Sequence, residues 1–186
     1  MSTDELFLFG EEKMEKAINQ LKKELGGVRT GRANPIILDK VLVDYYGAPT
    51  PLRQMSQVSV QEGTTLVINP YDKTIIKEIE KALIKVDLGV QPNSDGMVIR
   101  LTFPPLTEEK RRETTKDVKK FGEDSKVAIR NIRRDMVDDL KKIEKEENMP
   151  EDAVKDNQDE IQKLTDKYIG IIEKLVEEKE KEVMTV

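Results

Sequence analysis

Residues 107–146 read TEEKRRETTKDVKKFGEDSKVAIRNIRRDMVDDLKKIEKE, and the helix they predict is the element around which the rest of the chain is arranged. It contains no proline, and its apolar positions recur every three or four residues, as they do on the buried face of an α-helix. Thr107 can cap the first turn, and Glu108 and Glu109 suit the positive end of the helix dipole. The sequence therefore predicts one helix roughly 60 Å long, at about 1.5 Å per residue. Its inward stripe is predicted to be Val118, Phe121, Ser125, Ala128, Ile132, Met136, Leu140 and Ile143.

A second long helix is predicted on the C-terminal side of the first. Asn148-Met149-Pro150 interrupts the first helix, because proline lacks the backbone N–H and clashes with the preceding turn. Helical spacing then resumes, and the two long helices are expected to form a hairpin with an apolar groove between them. The residues predicted to face inward from the second helix are Val154, Ile161, Leu164, Tyr168, Ile171, Ile172 and Leu175.

Residues 11–28 also show helical spacing, and Gly26-Gly27 is predicted to end that helix. An isolated helix of this length is marginal in water, so it must pack against something. Docking it into the groove of the hairpin predicts a three-helix bundle. Its apolar positions are Met14, Ala17, Ile18, Leu21, Leu25 and Val28.

Between the first helix and the hairpin, the period of the apolar residues changes from helical to alternating. Strands are predicted around residues 41–46, 55–60, 66–68 and 97–103, and a helix over 75–86 with Asp72 as a capping residue nearby. Turn-rich breaks are predicted at Gly47–Pro51 and at Asn93–Gly96. The predicted class is α+β with two domains. Residues 1–30 and 106–186 form the bundle, and residues 31–105 form a small mixed α/β domain inserted between its first and second helices.

The chain must pass twice between the two predicted domains, at residues 29–32 and 103–107. The first passage contains Thr30 and Gly31, and the second contains Pro104 and Pro105. Two short strands side by side, one with a glycine and one with two prolines, predict a hinge that pivots without unfolding either domain.

Composition excludes several function classes. The 186 residues include no Cys and no His, which excludes zinc ligation by those residues and any Ser-His or Cys-His nucleophile pair. The sequence lacks a phosphate-binding Gly-rich loop and a signal peptide. It also lacks a membrane span of about 18 apolar residues. We therefore expect no metal, no cofactor, no membrane contact and a cytoplasmic location.

Charge is distributed unevenly around the long helix, although the formal net charge of the chain is −5. At about 100° per residue, the helix has an apolar, a basic and an acidic face. A basic stripe of this kind can follow a phosphate backbone. The alternative is an ordinary solvated face held by pairs four residues apart. The basic face comprises Arg112, Lys116, Lys119, Lys126, Arg130 and Arg133, with Arg134 and Lys141 close behind, and the acidic face comprises Glu113, Asp117, Asp124, Asp135 and Asp138.

Several motifs in this chain resemble those of ribosome recycling factors. VRTGRANP at residues 28–35 and PPLTEE at 104–109 are similar to the two inter-domain connections of that family. DYYG at 44–47 and DLGVQPNSDG at 87–96 are similar to its inserted domain. AIRNIRRD at 128–135 is the most specific block. The resemblance runs from about residue 12 to the C-terminus.

The resemblance implies an L-shaped, tRNA-like, monomeric protein that is not an enzyme. It implies that the bundle binds 23S rRNA on the large ribosomal subunit, and that elongation factor G pushes on the α/β domain. With GTP, which belongs to that partner, the pair would split the post-termination complex into subunits. The residues expected to bind RNA are Arg29, Arg32, Arg111, Arg112, Arg130, Arg133 and Arg134.

Tyr45 and Tyr46 are candidate contacts of the partner factor or of RNA bases. The alternative is that one of them packs in the small domain and the other is simply exposed. Two other classes of protein remain for the whole chain: a helical-hairpin chaperone or structural coiled coil, and a hydrolase with paired carboxylates. Salt-dependent binding to purified large subunits would distinguish a ribosome-binding factor from both of these other classes.

Overall fold

In a computed structural model that describes residues 1–185, the chain forms two compact units. The first unit consists of Met1–Val28 and Arg112–Met184, and the main body of the second is Arg29–Arg111. Each unit has its own cluster of buried apolar residues, and no residue belongs to both clusters. The predicted α+β class with two domains is confirmed.

The described residues form the following elements. The helices are α1 (Thr3–Gly26), α2 (Leu52–Met55), α3 (Ile76–Val86), α4 (Glu108–Glu147) and α5 (Glu151–Met184). The strands are β1 (Leu42–Tyr45), β2 (Ala48–Pro51), β3 (Ser56–Gln61), β4 (Thr65–Pro70), β5 (Asn93–Ser94) and β6 (Ile99–Thr102). Short 3-10 helices occupy Pro35–Lys40 and Lys73–Ile75. No helix within residues 1–185 combines the length and apolar character that crossing a membrane would need.

Helix α1 starts earlier than the sequence predicts, whereas it ends where the sequence predicts. The helix begins at Thr3 because Ser2 and Glu5 form a capping box. The Ser2 hydroxyl accepts from the Glu5 N–H at 3.2 Å, and the Glu5 carboxylate accepts from the Ser2 N–H at 2.8 Å. The buried stripe therefore reaches back to Leu6 and Gly10. The capping pattern is readable in the sequence, but the apolar period alone does not show it.

The inward face of α4 is rotated slightly from the predicted one. Phe121, Ala128 and Ile132 are half-buried, whereas Gly122 and Ile129 are buried. From Val118 the buried positions are separated by 4, 3, 4, 7, 4 and 3 residues, which is the seven-residue period of helices packed in a bundle. Close helix approach explains the buried glycines: Gly10 of α1 lies against Met136 of α4, and Gly122 lies against Val176 of α5.

A buried tyrosine connects α5 to α1. Tyr168 has no exposed side-chain surface, and its hydroxyl lies 2.9 Å from a Glu15 oxygen and 3.3 Å from a Glu11 oxygen. It can donate to one carboxylate at a time, and the shorter contact is with Glu15. Burial, and then the hydrogen bond to Glu15, raise the pKa of Tyr168. The neighbouring Lys167 pairs with Glu11 at 3.6 Å. These contacts fix the position of α1 along α5.

The second unit contains a two-stranded hairpin, β1–β2, and a four-stranded antiparallel sheet in the order β3-β4-β6-β5. Gly47–Pro51 was predicted as a turn-rich break, and that prediction is wrong for its last four residues, which form β2. Prolines are tolerated there because a two-stranded sheet needs hydrogen bonds on one side of each strand only. The core between sheet and helix contains Leu66, Ile68, Ile79, Leu83, Ile99 and Leu101.

Side-chain hydrogen bonds set two boundaries in this unit. Asp72 accepts from the Thr74 N–H at 3.0 Å, which confirms it as a capping residue. The last strand begins later than predicted, because the Asp95 carboxylate accepts from the N–H groups of Met97 and Val98, both at 2.9 Å. Those donors are therefore not available to the sheet. These bonds, and then the bond from Arg100, lower the pKa of Asp95 to about 2.

Both connections between the units lack helix and strand. Residues 27–34 run from the end of α1 to the first 3-10 helix, and residues 103–107 run from β6 to α4. The expected side-by-side strands do not form, because Pro104 and Pro105 have no N–H to donate. Thr107 caps α4 as predicted, since its hydroxyl accepts from the Lys110 N–H at 3.2 Å.

Candidate nucleic-acid interface

On the predicted basic face of α4, five cationic side chains are exposed and make no ion pair with any residue in the range 1–185. We call them the basic flank. Because α4 rises about 1.5 Å per residue, the flank extends over roughly 27 Å. The five residues are Lys116, Lys119, Arg130, Arg133 and Arg134.

The three arginines of the basic flank lie on a firmly packed part of α4. Ile129 has no exposed surface, and Met136 is 3% exposed. These two residues enclose Arg130, Arg133 and Arg134 in the sequence, so the backbone that carries the guanidinium groups is fixed by the core. A fixed backbone lowers the entropy lost when such side chains bind a ligand.

Two predicted members of the basic face are engaged within the bundle. Lys126 is only 18% exposed and pairs with Glu123 at 3.5 Å and with Glu173 of α5 at 3.4 Å. Lys141 pairs with Asp138 at 3.7 Å. The predicted stripe is therefore divided into a lysine part, Lys116 and Lys119, and an arginine part around Arg133.

The other predicted RNA-binding arginines lie outside the basic flank. Arg111 is half-buried and Arg112 is exposed, both in the first turns of α4. Arg29 and Arg32 are exposed in the first connection and belong to the second unit. The backbone N–H of Arg32 donates to the Thr30 hydroxyl at 3.4 Å, which shapes this connection locally.

The acidic residues of α4 do not assemble a metal centre. Asp139 is held by Lys142 at 2.8 Å, and the hydrogen bond to that carboxylate raises the pKa of Lys142. Within residues 1–185, no group of three or more carboxylates has the arrangement needed to hold a metal ion.

Tyr45 and Tyr46 end the β1–β2 hairpin of the second unit. Tyr45 is 37% exposed and Tyr46 is 82% exposed, so Tyr46 is the more open of the two, and neither belongs to the buried core of the unit. Their rings meet edge to face at a centroid distance of 4.7 Å. Tyr46 has φ +51° and Gly47 has φ +85°, both in the left-handed region. This conformation was not predicted from the sequence, although a two-residue hairpin turn requires it.

Comparisons with known proteins agree on one family. The family model described as "Ribosome recycling factor" matches residues 21–184. The ribosome-recycling factor of Bacillus licheniformis is 56% identical over 175 residues, which cover 94% of this chain and 95% of the relative. A solution structure of a ribosome recycling factor shares 40% identity, with a TM-score of 0.82 and coverage of 100% and 99% of the two chains.

A second solved structure comes from a ribosomal complex. It contains the T. thermophilus ribosome recycling factor and the E. coli elongation factor G bound to the E. coli post-termination complex. The similarity to this chain is 42% identity, with a TM-score of 0.69 and full coverage of both chains.

Proposed function

The chain belongs to the ribosome recycling factor family, and on that premise we propose that it binds the large ribosomal subunit after termination and promotes splitting of the post-termination complex. Elongation factor G, the GTPase found with a relative in the solved complex, is its partner in that step. Ribosome recycling factors are non-enzymatic translation factors, so the GTP belongs to the partner. The place of action is the ribosome, in the cytoplasm.

The basic flank is the observation that supports RNA binding by the bundle. Guanidinium groups offer paired N–H donors that match phosphate and base edges, and those of Arg130, Arg133 and Arg134 are not engaged by carboxylates of residues 1–185. Their attraction to a polyphosphate is therefore available for binding, in spite of the net charge of −5. Arg29, Arg32, Arg111 and Arg112 extend the proposed RNA-binding set.

The two connections are the proposed hinge. Thr30 and Gly31 lie in one, and Pro104 and Pro105 lie in the other, and neither connection has regular secondary structure. A β-carbon at Gly31 would meet no atom within 4 Å, so this part of the chain is loosely packed. Movement here would let force on the second unit act on the bundle. Tyr45 and Tyr46 are the proposed contacts of elongation factor G.

Charge reversal at one arginine tests the proposal. Arg133→Glu should leave the bundle folded, because the side chain is exposed and makes no ion pair within residues 1–185. Splitting of post-termination complexes by elongation factor G and GTP should be abolished. Affinity for purified large subunits should fall, and the slope of log affinity against log salt should become shallower by about 1.

Lys155→Glu is the matched control, since it makes the same charge change at an exposed lysine of α5 that also lacks an ion pair in the described chain. It should split complexes at the normal rate. Full splitting activity of Arg133→Glu would show that the basic flank does not bind ribosomal RNA.

A further inference from the structure

We propose that the open edge of β3 binds a second copy of this chain, with the two β3 strands antiparallel about a two-fold axis at Ser59. The association is weak and reversible, and it joins the four-stranded sheets of two chains edge to edge. It goes beyond the proposed function and does not depend on it.

The direction of the peptide groups in β3 is the first step of the argument. Only β4 lies beside β3 in the sheet. The Tyr71 N–H donates to the Met55 carbonyl at 3.0 Å, just before the first paired residue of β3. In an antiparallel ladder, every second residue bonds to the neighbouring strand. Counting on from Met55, the residues of β3 that bond to β4 are Gln57, Ser59 and Gln61.

The N–H and C=O groups of Val58 and Val60 therefore point away from the sheet. In the part of the chain that the structure describes, no hydrogen bond from another element reaches them. Val60 is 46% exposed and Val58 is half-buried, so this stretch of the edge is open to solvent. A row of unpaired backbone groups of this kind is a template for a further strand.

The edge at β3 lacks the features with which proteins usually prevent such pairing. Ser56–Gln61 contains neither a charged residue nor a proline. The other edge of the same sheet is β5, which is only two residues long and is followed directly by Asp95. The sheet is therefore protected at β5 and open at β3.

The sequence of β3 favours its own copy as the partner. Residues 57–61 read QVSVQ, which is the same in both directions. In an antiparallel pair centred on Ser59, each Val58 lies opposite Val60 of the second copy. Each Gln57 then lies opposite Gln61. Valine meets valine, amide meets amide and hydroxyl meets hydroxyl, and matched cross-strand pairs of this kind stabilise a sheet.

The open backbone groups have the same symmetry as the side chains. Val58 and Val60 are equally distant from Ser59, so the N–H and C=O groups of each valine meet those of the opposite valine. The nearest charge along the chain is Glu62. The two copies of Glu62 would lie about 20 Å apart, at about 3.4 Å per residue, where salt screens their repulsion.

The small size of the edge limits the strength of the association. A stable protein interface buries about 1,600 Å² in total, and two strands of this length bury far less. The pair is therefore expected in concentrated protein and should dissociate on dilution.

Cysteine cross-linking tests the register, because the chain has no cysteine of its own. Ser59→Cys would place two thiols in a non-hydrogen-bonded pair, where Cα atoms are about 4.5 Å apart and a disulfide can form. The two copies of Gln57→Cys would lie about 14 Å apart along the strands, which is too far. Lys155→Cys, at an exposed position of α5, measures the rate of chance collision.

We expect Ser59→Cys to form covalent dimers at least about ten-fold faster than Lys155→Cys, because groups held in contact react faster than groups that meet by diffusion. The reaction is run in concentrated protein with oxidised glutathione and followed on non-reducing gels. Gln57→Cys alone should react at the collision rate. A mixture of Gln57→Cys and Gln61→Cys should react faster than either variant alone, because those positions lie opposite each other.

Val60→Lys tests the association without a covalent bond. Lysine on an edge strand opposes pairing. In sedimentation, the apparent mass of the unchanged protein should rise with concentration, and that of Val60→Lys should remain the mass of one chain. Val127→Lys makes the same change at a valine of α4 that is 49% exposed, and it should behave as the unchanged protein does.

Three results would overturn the inference. The first is equal cross-linking rates for Ser59→Cys and Lys155→Cys. The second is fast cross-linking of Gln57→Cys alone, which would show that the chains associate in another register or at another surface. The third is an apparent mass of the unchanged protein that does not rise with concentration.

Discussion

At the scale of single residues, Asp95 shows how one carboxylate organises a turn. It accepts from the N–H groups of Met97 and Val98 and pairs with Arg100 at 2.9 Å. The β6 strand begins directly after these bonds. The charged form of Asp95 is favoured in the folded state, and its pKa is about 2 instead of about 3.9 in an unfolded chain.

This shift predicts a pH dependence of stability. A depressed folded pKa gives stabilisation that is complete above the unfolded pKa, and it is lost as the pH falls from about 4 to about 2. Asp95→Asn should therefore be less stable than the unchanged protein at pH 6, and the difference should shrink across that window. Urea unfolding at several pH values measures this difference in stability.

Asp135→Asn is the control, because Asp135 is an exposed carboxyl for which the structure shows no hydrogen bond. The difference between this variant and the unchanged protein should not shrink as the pH falls. A constant difference from pH 6 to pH 2 would contradict the assignment.

At the scale of helices, two glycines with different surroundings give a paired prediction. A β-carbon at Gly122 would lie 2.5 Å from Cγ2 of Val176, a stiff β-branched side chain on α5. The crowding should cost roughly 1–3 kcal/mol, against a gain of about 1 kcal/mol in helix propensity. Gly122→Ala should therefore lower the free energy of unfolding by about 1 kcal/mol.

Gly170 of α5 is the matched control, because a β-carbon there would meet nothing within 4 Å. Gly170→Ala should raise the free energy of unfolding by about 0.5–1 kcal/mol. In the double variant Gly122→Ala with Val176→Ala, the crowding is relieved, and a coupling of at least about 0.5 kcal/mol should appear. Stabilisation by both glycine changes alike would mean that α4 and α5 are not in close contact at Gly122.

The helices of the bundle were readable from the sequence because their apolar stripes are long. The end of α1 at Gly26 and the break at Pro150 followed from local chemistry. By contrast, β2 was missed because Pro49 and Pro51 disguise a strand that has a neighbour on one side only. The basic flank was predictable from the helical period. The ion pair that takes Lys126 out of the basic flank was not predictable, because its partner Glu173 lies on another helix.

At the scale of the whole molecule, the two separate cores predict that each unit can be destabilised without destabilising the other. Leu66 has no exposed surface in the second unit, and Ile161 has none in the bundle. Either residue changed to alanine should cost about 2–5 kcal/mol. Leu66→Ala should accelerate amide hydrogen exchange in β4, β6 and α3 while the centre of α5 exchanges as before, and Ile161→Ala should do the reverse. Mass spectrometry of peptic fragments measures this. Equal acceleration throughout the chain after either change would show a single cooperative unit.

The division of the bundle between the two ends of the chain also has a consequence during biosynthesis. Helix α1 is complete at Gly26, whereas the helix it packs against most extensively ends at Met184. At the usual 5–20 residues per second, the stripe containing Met14 and Leu21 waits roughly 8–30 s for that helix to be made. The inserted unit can fold in the meantime. A nascent chain stalled before α5 should therefore combine a folded inserted unit with an exposed apolar stripe on α1. Chaperones recognise exposed apolar segments of this kind.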